Sequence, residues 1–138
     1  MDAVRNPSES ALRAAFLALA ALHLGLGAWM FFSPHTFFTT VGAFGSYNRH
    51  YERDAATFYF AFALGCGVAA WRPAWRVPVI AMITLQYVIH TFNHALDAGA
   101  ANNSWAGGVD VASLGLGAIQ FAALLWLLTR LPVKAGRA

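Results

Sequence analysis

Four apolar stretches, at about residues 11–32, 55–71, 77–97 and 108–130, are separated by short polar segments. Each approaches the ~20 residues that an α-helix needs to cross a bilayer core. The pattern predicts an all-α chain: one domain over residues 1–138, folded as an antiparallel four-helix integral membrane bundle. The first run, from Ala14 to Phe32 with only His23 breaking it, exceeds a usual signal core of about 7 to 15 residues and lacks a small-x-small closing site. It is expected to be a retained helix, capped by Ser8 or Ser10 and ended by Ser33-Pro34, since proline cannot donate an amide and disfavours helix before it. The 55–71 stretch is the shortest, and spans only if nearly upright or with its polar start in the headgroup layer.

The connections differ in kind. Residues 72–76, Arg-Pro-Ala-Trp-Arg, leave room only for a tight hairpin. Residues 35–53 mix Phe37, Phe38, Phe44, Tyr47 and Tyr51 with Gly42 and Gly45, a composition that favours a folded loop at headgroup depth. The last loop, 98–108, is small and polar. Four pairs at four-residue spacing, Ala21/Gly25, Ala61/Gly65, Ala63/Gly67 and Ser113/Gly117, offer close helix approach in lipid.

Composition agrees with this picture: 59% of residues are hydrophobic and 11% charged, against roughly 25% charged in a soluble domain. The net charge of +3 and pI near 9.5 do not indicate nucleic acid, because the cations sit at helix ends instead of forming a stripe. Arg5, Arg13, Arg72, Arg76, Arg130, Lys134 and Arg137 fall on one side, seven of the nine, with only Arg49 and Arg53 opposite. The positive-inside rule then puts both termini in the cytoplasm of a multi-pass cell-membrane protein. A single cysteine, Cys66, excludes an intramolecular disulfide and a cysteine metal cluster.

Candidate chemistry lies in two polar clusters, Asn48 to Asp54 and His90 to Asp97, which this topology brings to the outer face. His90, Asn93, His94 and Asp97 share one helical stripe, and Gln86 extends it a turn deeper. Ionisable groups near hydrocarbon are costly unless paired or hydrated, so their convergence marks a candidate site. His90, His94 and Asp97 could ligate a divalent metal such as zinc or iron, and the same spacing suits an interhelical hydrogen-bond network. His50 and Asp54 repeat the i, i+4 relation, and Asp110 opens the fourth helix at the same level. Asp54 and Asp110 could equally cap their helices, and Arg53 could pair with Asp97 or Asp110 as a latch. His23 lies at nearly the depth of His90, which would suit two haem ligands or a bond to a neighbouring helix.

The chain has no glycine-rich phosphate loop, G-x-S-x-G elbow, Cys-x-x-Cys or H-E-x-x-H. Two function classes stay open. One is a binding or accessory protein whose outer pocket, with Gln86, Asn93, Asn48, His50, Tyr51 and His23 as ligand contacts, holds a lipophilic molecule such as a quinone or docks a membrane partner. The other is an intramembrane enzyme, metal-dependent or acid-base, using His90, His94, Asp97, Asp54, Arg53 and Asp110.

The four short spans, the long first outer loop, and Arg53-Asp54 ahead of Ala63-Leu64-Gly65-Cys66-Gly67 resemble the DoxX-like group of small bacterial membrane proteins. Residues 45–51, Gly-Ser-Tyr-Asn-Arg-His-Tyr, and His-x-x-x-His-x-x-Asp at 90–97 also look like an uncharacterised actinobacterial membrane family. The resemblance implies the fold. DoxX-like proteins have been linked with sulfur oxidation and redox defence beside other subunits, and this chain lacks the cysteine pair that would make such chemistry explicit.

Overall fold

The computed structural model describes residues 8–130, and these are helical throughout apart from turns and one isolated bridge. The helices are α1 (Glu9–Phe32), α2 (Pro34–Thr40), α3 (Arg49–Trp71), α4 (Arg76–Asp97) and α5 (Ala106–Arg130). Four of them, α1, α3, α4 with its flanking turns, and α5, are long and apolar enough to cross a membrane. At 1.5 Å per residue, 22 to 25 residues reach roughly 33 to 38 Å, beyond the ~30 Å hydrocarbon core. Arg5, Lys134 and Arg137, three of the seven cations on the basic side, lie outside the described residues.

Helix starts follow local chemistry. The Ser8 hydroxyl accepts from the Ala11 amide at 3.2 Å and caps α1. Pro34 does more than end α1: it opens the short helix α2, where a first-turn proline forfeits no hydrogen bond. The third helix begins six residues before the apolar stretch, because the Asn48 Oδ1 accepts from the amides of His50 and Tyr51 at 3.0 and 3.2 Å. Asp54 therefore lies inside α3 and does not cap it, and this span is not short.

Helix α1 packs along α3, and α4 along α5, while α3 and α4 join through the tight turn at Pro73–Trp75. The pairs meet over one core that takes Leu12 and Phe16 from α1, Cys66 and Ala70 from α3, Ile80, Ile83 and Tyr87 from α4, and Phe121 and Leu128 from α5. Of the small-residue pairs, Gly65 backs onto Val79 and Gly117 onto Tyr87, whereas Gly25 and Gly67 face open space. Large apolar side chains such as Leu24, Phe58, Leu64, Leu85, Leu116 and Ile119 are exposed, a surface that only an apolar solvent would leave unpenalised.

Arg76 is absent from the expected loop. It is buried at the start of α4, paired through both guanidinium nitrogens with the Glu9 carboxylate, donating from Nε to the Ala69 carbonyl at 3.2 Å, and stacked over Phe16. Three helices are thus tied at the basic end. At the other end, Phe44 and Ala101 form an antiparallel bridge, with the Asn102 amide donating to Ala43 O at 2.7 Å and its side chain to Gly45 O at 2.9 Å. Gly45 adopts φ 62°, a left-handed turn that suits glycine.

Candidate functional site

The inward face of α4 is set by Val79, Ile83 and Tyr87, and one and two turns beyond it come His90 and His94. Steps of four residues keep Gln86, His90 and His94 in line, and they hydrogen-bond in series. Gln86 Nε2 lies 3.2 Å from His90 Nδ1, and His90 Nε2 lies 3.0 Å from His94 Nε2. From α5, the Asp110 carboxylate stands 3.8 Å from His94 Nδ1. The His94 and Asp110 side chains are only 15% and 10% exposed. The Phe44 ring closes over His94, edge-on at 4.7 Å between centroids.

One set of tautomers satisfies this geometry with both histidines neutral. Gln86 Nε2–H donates to His90 Nδ1, His90 Nε2–H donates to His94 Nε2, and His94 Nδ1–H points at the Asp110 carboxylate. The reverse set, with a proton on Asp110 and the Gln86 amide turned over, holds one proton more, so the same side chains accommodate Asp110 either ionised or neutral. Three atoms of the array lack partners while buried: Gln86 Oε1, His94 Nδ1 and Asp110 Oδ2. Each such atom costs about 1–3 kcal/mol unless something arrives to bond it.

Other expected members are elsewhere. Asn93 and Asp97 are exposed, because the helix carries Asn93 roughly a quarter turn from the centre of the buried face and Asp97 lies past its covered end. Among the described residues no three His, Cys, Asp or Glu side chains converge to hold a metal, so the His90–His94–Asp97 ligand set is not assembled. His90 and His94 could offer two nitrogens to an ion, with Asp110 behind His94 as an orienting carboxylate. His50 and Asp54 pair with each other at 3.3 Å on the surface, 86% and 63% exposed. Asn48 is committed to its cap and Tyr51 is exposed. Arg53 latches α3 to α1, not to Asp97 or Asp110: its Nε donates to Phe31 O at 3.0 Å and its guanidinium lies over the Phe31 ring.

The loop does reach the end of α4 as expected, but through Phe44 and the backbone bridge at 43–45 and 101–102. The charges of Arg49, His50 and Arg53 take no part. His23 is fully buried and donates from Nδ1 to Leu19 O at 2.7 Å, leaving Nε2 unpaired. Tyr59, Phe62, Tyr87 and Phe121 surround its ring at 5.6 to 6.3 Å, where a haem face would have to lie. The packing does not fit an axial ligand.

One contributor, Phe44, escaped the sequence reading, and so did the burial of a charge: Glu52 is buried on the inward face of α3, at the same end as His94. Its spacing of four and eleven from the buried Ala56 and Ala63 could have revealed it. Phe44 had no local signal, since its position depends on a bridge to a loop 57 residues away. Comparison of the chain with protein-family models, with curated proteins and with solved structures finds no match.

Proposed function

We propose that this chain is a small cell-membrane binding protein, a single four-helix bundle with both termini cytoplasmic. Its outer-facing site receives the polar head of a lipophilic ligand or of a membrane partner. The observation that carries this reading is the cluster of unsatisfied buried atoms on Gln86, His94 and Asp110 around a hydrogen-bonded histidine pair. A head group with a proton-exchanging oxygen, as in a quinone, complements it: Asp110 and His94 can each donate or accept according to the tautomer of the array. We take the likeness to DoxX-like proteins as one of four-span architecture alone, with no activity assigned by it. The pairing of His94 with a carboxylate favours one alternative, acid-base turnover of the bound molecule in an intramembrane enzyme.

His94→Asn and Asp110→Asn test the site. Loss of a hydrogen bond to a charged group costs about 1.5–3 kcal/mol, so each variant is expected to bind a short-chain quinone roughly 10- to 150-fold more weakly in detergent. Both should stay folded under conditions that unfold Gly65→Leu, which drives a side chain into Val79. Unchanged binding in both, or unfolding alongside Gly65→Leu, would remove the basis of the proposal.

Topology rests on the charge asymmetry. Green fluorescent protein fused after Arg72 or at the carboxyl terminus is expected to fluoresce, and alkaline phosphatase fused within 98–107 to be active. The reverse pattern would turn the histidine site towards the cytoplasm.

A further inference from the structure

A polar recess of about 320 Å³ opens at the histidine end on the α1–α3 side, lined by Ser33, His35, Thr36, Tyr47, Arg49 and Arg53 among others. No carboxylate lines it. Arg49 and Arg53 are one helical turn apart, and like charges at that spacing repel. Among the described residues neither guanidinium has an ion pair; the nearby Asp54 is taken by His50. Arg53 is already held in place, because its Nε bonds Phe31 O and its plane lies over the Phe31 ring, so its remaining N–H groups need no ordering on binding. One wall is fixed as well: Tyr47 sits edge-on to His35 at 5.1 Å and against Phe38 at 5.4 Å.

We infer that this recess binds a phosphate group of net negative charge, with no cationic head attached to it, through Arg49 and Arg53. Two guanidiniums present several N–H donors, with the Ser33 hydroxyl, the His35 ring and the Tyr47 phenol beside them. Such a set of donors without an anion of its own matches a group with three or more acceptor oxygens. The recess adjoins the last residue of α1, where an apolar span ends, so the phosphate of an anionic phospholipid headgroup meets it at the right depth. A free phosphate presents the same oxygens. The site shares no residue with Gln86, His90, His94 or Asp110 and stands or falls independently of the function proposed above.

The test uses the full chain in neutral detergent micelles, doped with phosphatidylglycerol or with phosphatidylcholine, and counts retained lipid by native mass spectrometry. Phosphatidylglycerol is expected to be retained over phosphatidylcholine. Arg49→Gln should weaken its binding about fivefold, the effect of one basic residue near an anionic headgroup. Arg49 is the chosen variant because it is exposed and ties no helices together, and Arg130→Gln at the opposite end is the control. Competition by millimolar inorganic phosphate, lost in Arg49→Gln, would identify a free anion as the occupant of the same site. Equal retention of the two lipids without phosphate competition overturns the inference, as does a fall in Arg49→Gln no greater than in Arg130→Gln.

Discussion

Glu9→Ala is expected to destabilise the protein more than Arg76→Leu, although the two substitutions break the same ion pair. The Arg76 side chain is 6% exposed and that of Glu9 58%, so the two partners depend on the pair to different degrees. Removing the carboxylate strands a cation among Phe16, Ala69 and the start of α4. Breaking a buried pair from one side costs about 3–5 kcal/mol, and water reaching the Glu9 side places the expected loss near the lower figure. Removing the arginine instead leaves a half-hydrated carboxylate and one unpaired carbonyl at Ala69, at about 1–2 kcal/mol, with leucine filling part of the volume. Unfolding midpoints in mixed micelles of increasing denaturing detergent would rank the variants. A reversed or equal ranking would show that Arg76 is not the buried anchor of the basic end.

The second large effect falls on neighbouring glycines and separates them. A Cβ on Gly107 would lie 2.0 Å from the Ala98 carbonyl oxygen and 2.8 Å from its carbon, so α5 must pull away from the end of α4. A Cβ on Gly108 meets nothing within 4 Å. Gly107→Ala should therefore cost about 3 kcal/mol, at the upper end of ordinary overpacking, while Gly108→Ala should be neutral or stabilise by up to about 1 kcal/mol through helix propensity. The consequence extends to the site, because Asp110 is three residues downstream and faces His94 from the same helix end. Gly107→Ala should match Asp110→Asn in quinone binding, and Gly108→Ala should match the wild type. Similar behaviour of the two alanine variants would contradict the close packing of α5 on the 98–100 turn.

Much of the fold was legible without tertiary information because the relevant physics is local. Uninterrupted apolar runs of about twenty residues specify helices by length and solvent preference alone, and four such helices are present. The Ser8 cap and the Arg72–Arg76 hairpin were readable for the same reason. So was the series Gln86, His90, His94, since residues four apart meet on any helix. What periodicity could not decide was where the buried face ends. Asn93 and Asp97 share the nominal stripe with His90, but inclusion in the site depends on what α5 and the loop cover, and they cover His94 and leave Asp97 exposed.

The remaining assignments required the packed structure. Arg76, Glu52 and Asp110 carry charges that a linear reading places at helix ends in water, and neighbouring helices bury all three. The approach of Phe44 to His94 depends on a bridge between two loops distant in sequence, and Arg53 chose the Phe31 carbonyl over either aspartate because α1 is the helix beside it. The sequence by itself determined the helices, their apolar surfaces and the local histidine ladder, all consequences of backbone hydrogen bonding and side-chain periodicity. Only the tertiary structure decided which polar groups are shielded from water, because shielding is a property of the surfaces that meet and not of the residue that carries the charge.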